Sequence, residues 1–162
     1  MKVAVVMGSK SDMSVVGKTL ETLEKFEIPF EARVISAHRS PEIAAEFAKT
    51  AEEKGFEVII AAAGKAAHLA GVIAGHTALP VIGLPIKSSM MDGLDSLLST
   101  VQMPTGIPVA TVAVGGGENA AYLAAQILSI KYPELAEKLS AHREKMAASI
   151  EADDAQIAAE LG

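Results

Sequence analysis

Along this chain, short continuous apolar runs alternate with longer stretches whose apolar residues recur every three or four positions. The runs at 3–7, 31–35, 58–62, 81–84 and 109–114 read as strands. Four of them are unbroken and rich in valine and isoleucine, as in parallel strands covered on both faces. Between the first two, Met13, Val16, Leu20, Leu23 and Phe26 keep helical spacing, with Ser11 or Asp12 in place to cap that helix. The next helix has Ser40 at its N-cap, Pro41 at N1, Glu42 in the first turn and Gly55 as its stop. Further helices are predicted over about 66–76, 93–102 and 118–130. Repeated βα units with right-handed crossovers make an α/β sandwich with helices on both faces of a central parallel sheet. Residues 1–132 form this domain. Beyond Pro133 no strand remains. Leu135, Leu139, Met146, Ile150 and Ile157 mark a charged, partly amphipathic helical tail over 133–162, packed on the same domain or on a neighbouring subunit.

The polar chemistry sits where strands end. Val3–Met7 runs into Gly8-Ser-Lys-Ser-Asp12, the second run into Ser36-Ala-His-Arg-Ser40, and the third into Gly64-Lys-Ala-Ala-His-Leu-Ala-Gly71. Loops that follow parallel strands share one edge of the sheet, and ligands bind in the crevice there. The segment after Gly8 offers backbone N–H groups and the hydroxyls of Ser9 and Ser11 to a phosphate. It has neither Walker A nor Gly-x-Gly-x-x-Gly spacing, and it reads also as an ordinary βα turn with caps. His38 suits proton transfer near neutral pH, and Arg39 suits bidentate phosphate recognition. A structural hydrogen-bonding histidine remains the alternative. Small residues around His68 let backbone approach a ligand closely, and helix amides there suit a carboxylate or CO2. A tightly packed turn with a satisfied histidine reads equally well.

Lys87 and Ser88 lie on a fourth loop of the same edge. Met90 and Met91 read as packing residues, Gly115-Gly-Gly-Glu-Asn119 as a turn, and His76 and His142 as surface or structural residues.

Composition narrows the partners. The 162 residues carry a formal net charge of -6, which argues against nucleic acid. With 4% aromatics and no tryptophan, there is no base-stacking platform. No cysteine is present, which removes disulfides, thiolate metal sites and thiol catalysis. No two histidines have the spacing of metal ligands. No apolar run approaches the roughly 18 residues of a membrane helix, and the N-terminal apolar stretch is too short for a signal peptide. A cytoplasmic protein is expected. Mean hydropathy of +0.32 with half the residues apolar fits a sheet covered on both faces, subunit interfaces, or both.

Taken together, Met7-Gly-Ser-Lys-Ser-Asp12, Ser36-Ala-His-Arg-Ser-Pro41, Gly64-Lys-Ala-Ala-His-Leu69, Asp92-Gly-Leu-Asp-Ser-Leu97, Val101-Gln-Met-Pro104 and the 119–127 segment resemble the class I N5-carboxyaminoimidazole ribonucleotide mutases of purine biosynthesis. The resemblance covers about residues 2–130. It implies a flavodoxin-like three-layer sandwich assembled as a homo-octamer, with active sites between subunits. It also implies isomerisation of a small ribonucleotide without cofactor, metal, ATP or biotin. Functional coupling to the synthase that makes the substrate goes with it.

By the same resemblance, Ser9, Ser11 and Arg39 match the 5′-phosphate ligands and Asp12 the ribose ligand. Ser36 matches a residue near the base, His38 the proton carrier at imidazole C4, and His68 and Leu69 the loop beside the migrating carboxyl group. Gly64 and Ala67 belong to that loop, and both histidines are the expected catalytic pair. Lys65 and Ala70 depart from the glycine and proline that many relatives carry. Class II enzymes of the family, which use CO2 directly, resemble this chain less: Arg39 and His68 stand where those have lysine and no histidine. A non-enzymatic flavodoxin-like nucleotide-binding module is the rival of another class. A purely structural oligomer is the third.

Overall fold

The computed structural model describes residues 1–162. Strands β1 (Val3–Met7), β2 (Phe30–Val34), β3 (Val58–Gly64), β4 (Val81–Ile86) and β5 (Ala110–Thr111) form one parallel sheet in the order β2-β1-β3-β4-β5. Helices α1 (Met13–Lys25), α2 (Pro41–Thr50), α3 (Leu69–Ala74), α4 (Leu94–Val101), α5 (Gly117–Ser129) and α6 (Pro133–Leu161) complete the sandwich.

The unbroken apolar runs have a simple cause. Successive strand side chains point to opposite faces, and here both faces are covered. Val3, Val5 and Met7 join Val58, Ile60, Ala62, Ile82, Leu84 and Ile86 under α1, α5 and the start of α6. Ala4 and Val6 join Ile59, Ala61 and Ala63 under α2 and α3. Helix α4 lies beside α3 over β4, where Thr100 Cγ2 sits so close to Gly83 that a β-carbon there would come within 2.3 Å.

The ends of the sheet depart from expectation. Strand β2 is an edge, with Glu31 and Arg33 along it and Val34 exposed, so its face is polar rather than continuously buried. The run at 109–114 yields only the two-residue β5, because its far side has no partner strand. It still follows β4 beyond that point, as Val112 N–H donates to Gly83 O and Gly115 N–H to Pro85 O. Met13, expected on the buried face of α1, is exposed.

The caps also differ. Neither Ser11 nor Asp12 caps α1 with its side chain. Ser9 instead caps a 3-10 turn at Lys10–Asp12: Ser11 N–H donates to Ser9 Oγ, and Asp12 Oδ2 accepts from Ser9 N–H at 3.0 Å. Ser40 occupies the N-cap position of α2, but its hydroxyl donates back to Ser36 O at 2.9 Å. That bond closes the turn holding His38 and Arg39.

Helix α6 divides in two. Leu135 is buried, Leu139 packs on the core, and His142 stacks on Tyr122 with ring centroids 4.9 Å apart. Lys138 pairs with Glu27 and donates to Phe26 O at 3.2 Å. From Arg143 onward every residue is exposed, including Met146, Ile150, Ile157 and Leu161.

Candidate active site

Chain order reverses around β1: the chain passes from β1 to β2 on one side and later to β3 on the other. At such a switch point the loops splay apart and leave a crevice beyond the strands' carboxyl ends. A cavity of 540 Å³ lies there, within the roughly 300–1,000 Å³ of small-molecule sites. The loops after β2, β1, β3 and β4 line it in that spatial order.

The first two loops are tied together. Arg39 Nη2 donates to Gly8 O at 2.9 Å, and its Nε donates to Ser36 Oγ at 3.2 Å. The guanidinium thus spans from the β2 loop to the end of β1. Ser11 Oγ lies 2.9 Å from Ser9 Oγ, so the two hydroxyls and the Arg39 fork share one end of the cavity. Asp12 is buried beside them. Burial pushes its carboxyl above the usual carboxylate range, opposed by the Ser9 N–H and the Arg39 charge. His38 is exposed at the cavity wall. Gly64, Ala67 and Leu69 line the β3 side, with Ala63 and Ile86 as an apolar floor.

Nine of the ten sequence-derived site residues therefore line one cavity: Ser9, Ser11, Asp12, Ser36, His38, Arg39, Gly64, Ala67 and Leu69. His68, expected beside His38 as a catalytic group, is not among the lining residues. Its Nδ1–H donates to Ser99 O in α4 at 2.5 Å, and its ring covers the Cα of Gly71. A carbonyl oxygen only accepts, so the contact fixes the proton on Nδ1. The turn bearing His68 precedes a helix of only six residues, which begins at Leu69 rather than near 66. The ring is thereby directed to the neighbouring helix. In this geometry it fastens the β3 loop to α4.

Sequence reasoning passed over Lys65 as a ligand and noted it only as a departure. Lys65 lines the cavity in a left-handed conformation (φ 56°). Lys87 and Ser88, on the fourth loop, also line it. Lys87 Nζ is paired with Asp92 at 2.9 Å, and Ser88 Oγ donates to Asp95 Oδ1 at 2.6 Å. The glycine run at 115–117 lies elsewhere. Gly117 begins α5, where Thr19 Oγ1 donates to its carbonyl and a β-carbon would meet Val15 O at 2.6 Å, so glycine lets α1 and α5 approach. His76 is exposed, and His142 serves packing. No three histidines or carboxylates gather as metal ligands would.

The lining set holds three cations, Arg39, Lys65 and Lys87, against a single carboxylate, Asp12. In a chain of net charge -6 this is a local inversion of sign, suited to an anionic ligand.

Comparison with known proteins agrees in kind. The profile of the family described as AIR carboxylase matches residues 2–149. The N5-carboxyaminoimidazole ribonucleotide mutase of Pyrococcus abyssi is 61% identical over 145 residues, covering 90% of this chain and 83% of that protein. The enzyme of the same name from Saccharolobus solfataricus is 59% identical, covering 90% and 92%. The crystal structure of Treponema denticola PurE superposes with a TM-score of 0.86 at 32% identity, over 96% of this chain and 97% of that one.

Proposed function

The chain belongs to the AIR carboxylase family, and on that premise we propose how its cavity performs the reaction. Its activity is that of an N5-carboxyaminoimidazole ribonucleotide mutase, an isomerase of purine biosynthesis acting on a small-molecule substrate. The fold is the flavodoxin-like sandwich of that family.

The proposed roles follow the layout of the cavity. Arg39, Ser9 and Ser11 hold the 5′-phosphate through charge-assisted hydrogen bonds, and Asp12 accepts from the ribose hydroxyls. Ser36 borders the base. The N5-carboxyl group leaves as CO2, which stays enclosed between the nucleotide and Gly64, Ala67 and Leu69; retention at short range is a proximity effect. The electron-rich C4 of aminoimidazole ribonucleotide attacks the CO2 carbon. The exocyclic nitrogen gains a proton from His38 as CO2 departs, and His38 recovers one from C4 after the attack, which restores the aromatic ring and balances the turnover. His68 is a positioning residue. It keeps the β3 loop against α4 rather than touching the reacting atoms.

The observation that carries this reading is the convergence of Ser9, Ser11, Asp12, His38 and Arg39 on one positively biased cavity. The test is the conversion of the N5 isomer to 4-carboxyaminoimidazole ribonucleotide with chelator present and no ATP or bicarbonate. Turnover is expected to proceed; strict bicarbonate dependence would identify a carboxylase using CO2 directly.

The assembly is proposed to be a homo-octamer with sites completed by neighbours. Two exposed apolar stripes support it: Leu94, Leu98 and Val101 along α4 with Met90 and Met91 in the turn before it, and Met146, Ile150, Ile157 and Leu161 along α6. No helix is long and apolar enough to cross a membrane. A cytoplasmic site of action, coupled to the synthase that supplies the unstable substrate, completes the proposal.

A further inference from the structure

Resting on the mutase reading, we infer that Lys65 is the residue that holds the migrating carboxylate of the nucleotide. Lys65 has φ 56°, where a side chain with a β-carbon is disfavoured and glycine is at ease. Strain kept at the wall of a cavity points to a use for the side chain.

Charge points the same way. Of the cations in the lining, Arg39 is engaged by Gly8 O and Ser36 Oγ at the β1–β2 end, and Lys87 is paired with Asp92. The Lys65 ammonium has neither an ion pair nor a hydrogen-bond acceptor; only its backbone carbonyl is used, accepting from Ser99 Oγ at 3.4 Å. It is the one uncommitted positive charge in a cavity whose ligand is a multiple anion.

Position then assigns the anion. Lys65 directly follows β3, which lies on the opposite side of β1 from β2, so the β2 and β3 ends are about 10 Å apart at ordinary strand spacing. A ribonucleotide laid across the strand ends with its phosphate at Arg39 brings its base, and the carboxylate on it, to the β3 loop. The amides there carry no formal charge. Helix α3 is six residues long, too short for a substantial macrodipole.

The kinetic sign follows. Both the N5 isomer and the product carry the carboxylate, whereas the CO2 between them is neutral. A cation holding the carboxylate therefore favours ground states over the decarboxylated intermediate, so its removal raises KM without lowering kcat.

The test uses two variants and two nucleotides. Lys65→Gln keeps the β-carbon and removes the charge; Lys65→Gly also relieves the strain. Calorimetry with 4-carboxyaminoimidazole ribonucleotide and with aminoimidazole ribonucleotide, which lacks only the carboxylate, reads the contact directly. Both variants should weaken the carboxylated nucleotide about 10-fold, as for a partly exposed charge-assisted contact, and leave the other within about 2-fold. KM for the N5 isomer should rise by a similar factor with kcat undiminished. Equal weakening of both nucleotides, no weakening by Lys65→Gln, or a loss confined to kcat would each overturn the assignment while leaving the mutase reading in place. Failure of the unaltered protein to bind either nucleotide would overturn both.

Discussion

His38 is the residue on which the proposed chemistry turns. Asparagine in its place keeps a polar group of similar reach but has no nitrogen that exchanges a proton near neutral pH. His38→Asn should lower kcat by about 100-fold or more, with nucleotide affinity changed little, because the phosphate contacts belong to Arg39, Ser9 and Ser11. Steady-state rates alongside calorimetric binding check this, and a variant with unaltered rate would remove His38 from the proton transfer. Histidines also show what a sequence reveals about a site and what it does not. His38 and His68 each follow a strand at the same sheet edge, and strand-to-loop position is legible from the apolar runs. Which way a ring turns is not. His68 is directed away by Ser99 O, an acceptor thirty-one positions later on α4, and by a bare Gly71 beneath the ring. Lys65 shows the converse. Its residue type was plain, but its left-handed backbone is visible only in three dimensions.

At the scale of elements, the β3 loop and α3 depend on that glycine. A β-carbon at Gly71 would lie 2.0 Å from His68 Nε2, and the ring cannot withdraw without giving up Ser99 O. Gly71→Ala should cost about 1–3 kcal/mol of stability and reduce turnover, since Leu69 and Ala67 line the cavity from the same loop. Thermal melts of Gly71→Ala, His68→Ala and the double variant check it. The double variant should recover most of the loss, and simple additivity would show that the two residues do not meet. A second junction lies at the foot of the sheet. Glu57 accepts from Tyr132 Oη at 2.6 Å, from the N-terminal amine at 3.0 Å and from Lys131 Nζ at 3.2 Å, tying the start of β3 to the α5–α6 turn. The Tyr132 hydroxyl first, then the amine and Lys131, hold its carboxyl down from 4.5 to about 2. Its contribution is therefore full above the usual carboxylate range and is lost as pH falls through about 2. Glu57→Gln should lower stability at neutral pH by about 1 kcal/mol. Melting of both proteins between pH 7 and pH 2 should show the gap closing in acid, and a gap independent of pH would refute the clamp. The central strands β1, β3 and β4 were legible because both faces of the sheet are covered there, which forces apolar runs. The caps at Ser9 and Ser40 were not, because a serine hydroxyl chooses between forward and backward partners only once the turn is formed.

For the whole molecule, the unmatched apolar residues set the expected assembly. Leu135, Leu139, His142, Met146, Ile150, Ile157 and Leu161 recur at intervals of three, four and seven, which keeps them on one side of α6. Up to His142 that side rests on the chain's own body; from Arg143 it faces outward. Light scattering on the full chain should give a mass near eight subunits. A chain ending at Arg143 keeps Leu135, Lys138 and His142, so it should retain its folded body while losing mass per particle and activity. A fully active monomer would overturn the proposed octamer.

The outward half of α6 would project about 30 Å from an isolated subunit, at 1.5 Å per residue. Most helical stability in proteins comes from tertiary packing of an apolar face rather than from intrinsic propensity. The tail's helicity consequently becomes a function of dilution. Far-ultraviolet circular dichroism should lose a helical fraction at concentrations where subunits separate, before the sheet melts, and trypsin should then cut first at Arg143 and Lys145. The segment proposed to close the assembly would thus serve as its built-in gauge.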